Sequence, residues 1–492
     1  MGADQTIGPN LDPSQQARQK LVERAIQRLP ATACSLGKAF AKAGHELALV
    51  GGPVRDLLLG RQISDLDFAT SARPEETLAV LQAWGDSHWE VGKAFGTIGA
   101  RRGQDLVEVT TYRSEQYQPS SRKPSVEYGD SLPGDLSRRD FTVNAMAIQL
   151  DRLGLVDPFN GLGDLAAKVL DTPVSAEQSF DDDPLRMMRA ARFTAQLGFA
   201  ATEPVIRAMA ALAERLSIVS AERIQVELVK LMLSGQPREG LELMVFTGVA
   251  SQVLPELPAL KELADPLHRH KDVYEHSLTV LDQAIELETG PEGPVPGPDL
   301  VLRLAAILHD IGKPATRRFE GGGGVSFHHH EVVGAKLAAK RLRALRFDSA
   351  TTKAVTKLIE LHLRFHGYGQ GGWTDSAVRR YVTDAGPLLD RLNRLTRADC
   401  TTRNRRRAEA LAFAQDDLEV RIGELKQKEE LAAIRPDLDG RAIMAILGIE
   451  PGPVVGQAYQ YLLDLRMNHG PLGQDAARQA LEEWWRSRPP SS

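Results

Sequence analysis

The stretch Leu49–Thr70 reads LVGGPVRDLLLGRQISDLDFAT. An apolar run ends on Gly51 and Gly52, a short helical segment follows, and a second apolar run carries Asp65 and Asp67 on either side of Leu66. On an extended strand, residues i and i+2 point to one face, so the two carboxylates converge. Their natural company is a hard divalent cation with oxygen ligands, and Mg²⁺ is the usual choice where phosphates complete its shell. Gly51 and Gly52, lacking side chains, let backbone amides approach a triphosphate, and the Arg55 guanidinium can clamp a phosphate oxygen. These parts suit nucleotidyl transfer: one ion lowers the pKa of an attacking hydroxyl while another neutralises the leaving pyrophosphate. A third carboxylate normally shares such a site, and Glu108 in LVEVTTYR is the candidate.

Outward from this stretch, short apolar strands (HELALVGG, SDLDFAT, DLVEVTTYR, MAIQL) alternate with helical segments such as PEETLAVLQAWG. The expected fold class is α+β: a small mixed-sheet head, followed by an all-helical neck, body and tail. Helical periodicity dominates after about residue 176, as in PLRMMRAARFTAQLGF and SAERIQVELVKLML. The segment 114–135, rich in proline and polar residues, reads as a long loop, residues 1 to about 17 as a loose tail, and GGGG at 321–324 as a loop closure. The expected divisions are 1–30 (tail and lead-in helix), 31–170 (head), 171–250 (neck), 251–425 (body) and 426–492 (tail).

At 492 residues and 42% hydrophobic, the chain is too long for one core and too apolar to be disordered. Cys34 and Cys400 stand alone, which excludes a disulfide framework and a cysteine zinc site. No uncharged apolar run reaches about 18 residues, so no membrane association and a cytoplasmic location are expected. A net charge of −5 means that a nucleic-acid partner must be held by local basic patches. No feature of the sequence specifies an oligomeric state.

A second constellation lies in DLSRRDFTVNAMAI and DDDPLRMMRAARFTAQLGF. If Asp183 begins one helix, Asp183, Arg186 and Arg189 spread over a sector of about 120°, with Arg192 about 60° further round. An acceptor then sits beside several donors. One Asp and one Arg could read the pairing edge of cytosine or adenine, whereas guanine and uracil present the reversed order.

The pair GGPVRD and DLDFAT resembles the head of the DNA polymerase beta nucleotidyltransferase superfamily. Within it, the chain is most similar to the class II branch of tRNA CCA-adding enzymes and bacterial poly(A) polymerases. That resemblance implies that Asp183 and Arg186 read the incoming base, that Arg189 and Arg192 help to hold the nucleotide, and that Arg138 in RRDF binds nucleotide. One departure is Asp182-Asp183 where the family usually has Glu-Asp; the acidic character is kept. The implied activity is CCA addition from CTP and ATP to a tRNA 3′ end. Poly(A) polymerase activity, and addition of CC only or A only, are the alternatives.

Further on come His276 in EHSLTVLDQA, His309 and Asp310 in AAILHDIGK, His330 in FHHHEVVGA, His362 in IELHLRFH and Asp399 in LTRADC. Imidazoles and carboxylates on separate helices can converge on a transition metal or Mg²⁺. The order H, HD, D resembles the HD phosphohydrolase superfamily, which implies His276, His309, Asp310 and Asp399 as metal ligands and His330 and His362 as additions for a second ion. A rival reading gives that site the activity and leaves the head as an RNA-binding module. Basic runs at 338–347, 377–381 and 402–410 are candidate RNA contacts, with Tyr368 and Trp373 as stacking candidates.

Overall fold

The structure, a computed structural model, describes residues 13–63, 65–116, 125–129, 131–263, 272–320, 325–367, 373–401, 404–429 and 434–488. Contacts divide the chain into two units, residues 1–253 and 254–492. The class is α+β, as the sequence indicates.

The first unit holds a seven-stranded sheet. In chain order its strands are β1 (Leu47–Val50), β2 (Leu66–Thr70), β3 (Ser87–Trp89), β4 (Thr97–Arg102), β5 (Asp105–Thr111), β6 (Ala147–Gln149) and β7 (Gly154–Val156). They lie in the order β3-β4-β5-β2-β1-β6-β7. The pair β2–β5 is parallel and the other neighbours are antiparallel.

Alternation in these strands sets which face is filled. Leu49, Phe68, Ile98, Val107 and Val109 are fully buried in the layer beneath the helices Ala31–Lys42 and Pro74–Trp84. On the opposite face, Ala48, Val50, Ala69, Ala145 and Ala147 are small enough to admit Leu132 and Leu136 of the helix Leu132–Ser137. That cover stops short of the start of β2, so Asp65 and Asp67 stay open.

After the sheet, the helix Leu185–Leu197 is embraced by Ala221–Met232 and Pro237–Phe246. The second unit is helical, with one two-residue strand pair at Arg318–Phe319 and Val325–Ser326 among its described residues. Its last three helices, Gly440–Leu447, Pro453–His469 and Gln474–Arg486, share their own apolar cluster around Ile443, Ala458, Leu462 and Leu481.

Three expectations need correction. The segment 114–135 is not all loop: Arg113–Gln116 and Ser125–Tyr128 pair as an antiparallel hairpin, while residues 117–124 and 130 lie outside those described. No proline falls within Arg113–Gln116 or Ser125–Tyr128, so none interrupts that ladder. The loose tail is shorter than read, because Pro13–Gln27 is helical, as its Gln, Ala, Arg, Lys and Leu content favours; residues 1–12 lie outside the description, as does GGGG at 321–324. Asp183 is not on the arginine helix. It caps the end of Ala176–Asp182 in extended conformation, φ −138° and ψ 97°, because Pro184 disfavours helical geometry in the residue before it.

Candidate active site and candidate metal centre

In the first unit, Asp67 of β2 stands directly beside Glu108 of β5 in the parallel register. Residues so paired share a face. Asp65 lies two positions before Asp67 at the mouth of the same strand, and all three residues are exposed. Loss of water around the Asp67 carboxyl raises it above the ordinary carboxylate range; the charges of Glu108 and Asp65 push the same way, against Arg139. Acidic oxygens that repel one another on an open sheet face fit a divalent cation better than they fit one another.

Strand β1 delivers the chain to Gly51, whose φ of 75° suits glycine. A Cβ there would sit 2.8 Å from Nη1 of Arg139. Arg139 thus flanks both the turn and Asp67, and it is anchored by Asp135 at 3.2 Å. Gly52 begins the helix Gly52–Leu58.

Arg55 departs from the expected phosphate clamp. It is 7% exposed and donates to Asn144 Oδ1 at 2.7 Å and to both Asp56 oxygens at 2.9 and 3.0 Å, with its guanidinium 5.3 Å from the centre of the Phe193 ring. One turn into its helix, it points inward and cross-links the head. Arg138 pairs with Asp135 at 3.7 Å, and its carbonyl accepts from Arg186.

The selector residues fall into two groups. Asp183 accepts from the Leu185 amide at 3.2 Å and from Arg223 at 3.1 Å; Arg186, 8% exposed, donates to Ser179 Oγ at 2.8 Å. Arg189 and Arg192 are tied down instead. Arg189 donates to Asp140 at 2.7 Å, and Arg192 donates to Glu227 at 2.5 Å while lying 3.9 Å over Phe193. Asp140 also accepts from Asn144, and Arg189 reaches Glu227 at 3.9 Å, so Arg55, Asn144, Asp140, Arg189, Glu227 and Arg192 form one continuous network, buried except at the half-buried Arg189. Against burial, the charge of Arg189 and the hydrogen bonds from Asn144, Arg189 and the Phe141 amide hold Asp140 down at about 2. Arg139, Asp140 and Glu227 were missed in the sequence. A detectable signal existed for Glu227: it occupies the same helix face as buried Ile224, Leu228 and Leu231, where a lone charge needs a buried partner.

In the second unit, five helices bring six donors together. His276 lies on Val273–Glu286, His309 at the end of Leu300–Leu308, His330 at the start of His330–Ala344, His362 at the end of Ser349–Leu361 and Asp399 at the end of Leu389–Asp399. Asp310 follows His309. Oδ2 of Asp310 is 3.2 Å from His309 Nε2 and 3.6 Å from His276 Nε2; its Oδ1 is 3.3 Å from His330 Nε2. The group therefore has two lobes sharing Asp310, one with His276 and His309 and one with His330 and His362. Asp399 Oδ1 joins the first lobe, 2.9 Å from His276 and 3.5 Å from His309.

Every ring is oriented from behind. Nδ1 of His309, His330 and His362 each faces the carbonyl three residues earlier, at 2.6–2.8 Å, and Nδ1 of His276 faces Thr401 Oγ1 at 2.8 Å. Each Nε2 is thereby aimed inward. Burial, followed by the charge of His309, pushes His362 down to about 3, so it stays a neutral imidazole; its buried Nε2 has no hydrogen-bond partner among the described residues. Burial would lower His309 too, but Asp310 and then Asp399 pull it up to about 10. The carboxylates demand positive charge at that point, and the donor set fits a divalent ion. His328 and His329 are exposed, unlike His330. Sequence reasoning passed over Thr401 and Lys313, whose Nζ is 2.5 Å from Asp310.

Of the basic runs, Arg379 in 377–381 is buried against Glu429 at 2.9 Å and cannot meet RNA. Arg405, Arg406 and Arg407 are exposed, whereas 402–403 and Tyr368 lie outside the described residues. Trp373 packs on Tyr381. No helix among the described residues is long and apolar enough to cross a membrane.

The chain matches the Poly A polymerase head domain over residues 47–171, the Probable RNA and SrmB- binding site of polymerase A over 198–260, and the HD domain over 273–404. It is 34% identical to the A-adding tRNA nucleotidyltransferase of Deinococcus radiodurans, across 90% of this chain and 96% of that one. It is 36% identical to the CCA-adding enzyme of Lactobacillus delbrueckii subsp. bulgaricus, across 60% and 69%. In fold it is similar to the Bacillus stearothermophilus CCA-adding enzyme in complex with CTP, with a TM-score of 0.66 and 22% identity over 97% of this chain and 99% of that one. The Thermotoga maritima CCA-adding enzyme complexed with tRNA gives 0.57 and 18%, over 95% and 98%.

Proposed function

Because the chain belongs to the tRNA nucleotidyltransferase family, with its polymerase head and HD domain, we propose that it adds C, C and A to the 3′ end of tRNA from CTP and ATP. The observation that carries the reading is the row Asp67–Glu108, with Asp65 beside it, facing the Gly51 turn and Arg139. Asp65, Asp67 and Glu108 would hold Mg²⁺, which when bound supplies charge neutralisation at the phosphates and acidifies the attacking hydroxyl. Backbone amides at Gly51 and Gly52 and the Arg139 guanidinium would receive the triphosphate tail, a role that passes from Arg55 to Arg139 because Arg55 is buried and bonded to Asn144 and Asp56 whereas Arg139 flanks the Gly51 turn. Arg186 uses three of its five donor hydrogens on Ser179 and on the Arg138 carbonyl. The rest, with the Asp183 carboxylate, would read the base edge. Arg189 and Arg192 act from behind, Arg189 fixing that helix to the head through Asp140 and Arg192 fixing it to the helix Ala221–Met232 through Glu227.

The test offers tRNA lacking its last three nucleotides with each labelled triphosphate separately and together. CTP alone should add two residues, and CTP with ATP three. Unlimited A addition without C would reject the reading. A second reading is favoured by the full-length likeness to an A-adding enzyme: one A added to tRNA ending in CC, with no C added to the truncated substrate, would select it.

The HD centre would hold one divalent ion with His276, His309, Asp310 and Asp399, and a second with His330, His362 and Asp310. Such ions, Mg²⁺ or a transition metal, would supply a hydroxide nucleophile for phosphate-ester hydrolysis. Here Thr401 and the backbone carbonyls keep the rings in register, and Lys313 offers a cation beside Asp310. Release of phosphate from a phosphate ester, lost in His309→Ala, is the readout; loss in the wild type's metal-free form but not in the variant would reject it.

A further inference from the structure

The acidic row does not end at Glu108. In the antiparallel register Glu108 stands opposite Gly99 of β4, and Gly99 stands opposite Trp89 of β3. Asp67, Glu108, Gly99 and Trp89 therefore lie side by side on one face across four adjacent strands. A Cβ at Gly99 would fall 2.0–2.4 Å from three atoms of the Trp89 indole; the missing side chain is what lets the ring lie over β4, one strand from Glu108. Trp89 remains half-buried on an edge strand, and the chain beyond it exposes Val91 at 91% and Phe95 at 56%. An aromatic that only covered a strand glycine would not need this apolar company at the open edge.

The chemistry says what belongs there. In phosphoryl transfer the attacking and leaving oxygens are roughly in line across the phosphorus. The Gly51 turn, Arg139 and Arg186 all lie on the β1 side of the carboxylates, which assigns the leaving pyrophosphate and the incoming base to that flank. The attacking hydroxyl must then arrive from the opposite flank, over β4 and β3. Resting on the transferase reading above, we propose that Trp89 is the stacking platform for the 3′-terminal base of the acceptor RNA, holding its ribose hydroxyl beside Glu108 and Asp67. Stacking on an aromatic face tolerates any base, which suits an acceptor whose last nucleotide changes as it grows.

The test compares wild type, Trp89→Ala and Trp89→Phe in steady-state addition of CMP to truncated tRNA. In Trp89→Ala, kcat/KM for the acceptor should fall about tenfold or more with KM for CTP unchanged, and Trp89→Phe should recover most of it. An acceptor RNA ending in 2-aminopurine should be quenched on binding wild type and regain emission on binding Trp89→Ala. A merely structural tryptophan would not quench the probe. The proposal is overturned by an unquenched probe with wild type, by acceptor kinetics within twofold of wild type in Trp89→Ala, or by an equal rise in KM for CTP. Should Trp89→Ala not fold, the wild-type probe signal and Trp89→Phe decide alone. Quenching needs no turnover, so a wild type that incorporates nothing defeats the transferase reading while the probe still reports on the platform.

Discussion

The two candidate metal sites are built on opposite plans. In the head, three carboxylates sit exposed on an open sheet face and repel one another. In the HD centre, four imidazoles and two carboxylates are buried or nearly so, and each ring is locked by a carbonyl or hydroxyl behind it. On the proposed reading the first would be completed only when substrate phosphates join a cation shell, as a transferase that must release pyrophosphate requires. The second would hold an ion largely with buried protein donors, leaving a position for the water that hydrolysis needs. Metal should exchange freely in the head and be retained in the HD centre.

The widest separation between them comes from removing one donor on each side. Asp67→Ala should lower nucleotide incorporation by about 10³-fold or more and leave the metal content of the dialysed protein unchanged. His362→Ala should do the reverse, lowering retained metal measured by mass spectrometry with incorporation intact. If Asp67→Ala also stripped the retained metal, the contrast between open and closed sites would fail.

A second break targets the network behind the selector helix. Asp140→Ala leaves Arg189 and Asn144 without their buried acceptor, and breaking a buried pair costs about 3–5 kcal/mol; chemical denaturation of the first unit should report it. The pH dependence has a definite sign. Asp140 titrates at about 2 in the fold, below its ordinary value, so its contribution is present above pH ~4 and is lost as pH falls toward 2, on the order of 2 kcal/mol in all. Asp140→Asn should lack that acid-dependent loss. A smaller effect is expected at Thr401, which touches metal only through His276. Thr401→Val should weaken metal retention about 10- to 100-fold without changing incorporation.

How far the sequence shows these sites depends on whether backbone periodicity alone fixes a side chain's direction. Asp65 and Asp67 are legible because alternation on a strand sends both outward whatever packs nearby. The HD donors are legible because each lies at or near a helix end, beside an apolar run whose burial draws it into the core. Arg55 is not legible: its place after two glycines suggests phosphate, and only the position of Asn144, nearly ninety residues on, turns it inward. Asp183 fails for a local reason that the sequence did contain, since Pro184 breaks the helix there. The Trp89 row is hidden altogether, because it exists only once four strands are in register.

The finest test of the comparison lies in the head's own repulsion. Asp67 is raised above its ordinary value by lost hydration and by Glu108 and Asp65. A carboxyl so raised gives stability that is complete below its ordinary pKa and is lost as pH rises through the raised one, so at neutral pH the metal-free head carries a penalty. Asp67→Asn should therefore melt slightly higher than wild type at pH 7 in EDTA, by about 1–3 °C, and the gain should vanish below pH ~4, where both are neutral. Adding Mg²⁺ should raise the melting point of wild type by mass action by more than it raises that of Asp67→Asn, in which only the HD centre is intact. A lower melting point for Asp67→Asn in EDTA at pH 7 would mean that the acids are held by bonds of their own, and the head would then be a closed site like the HD centre.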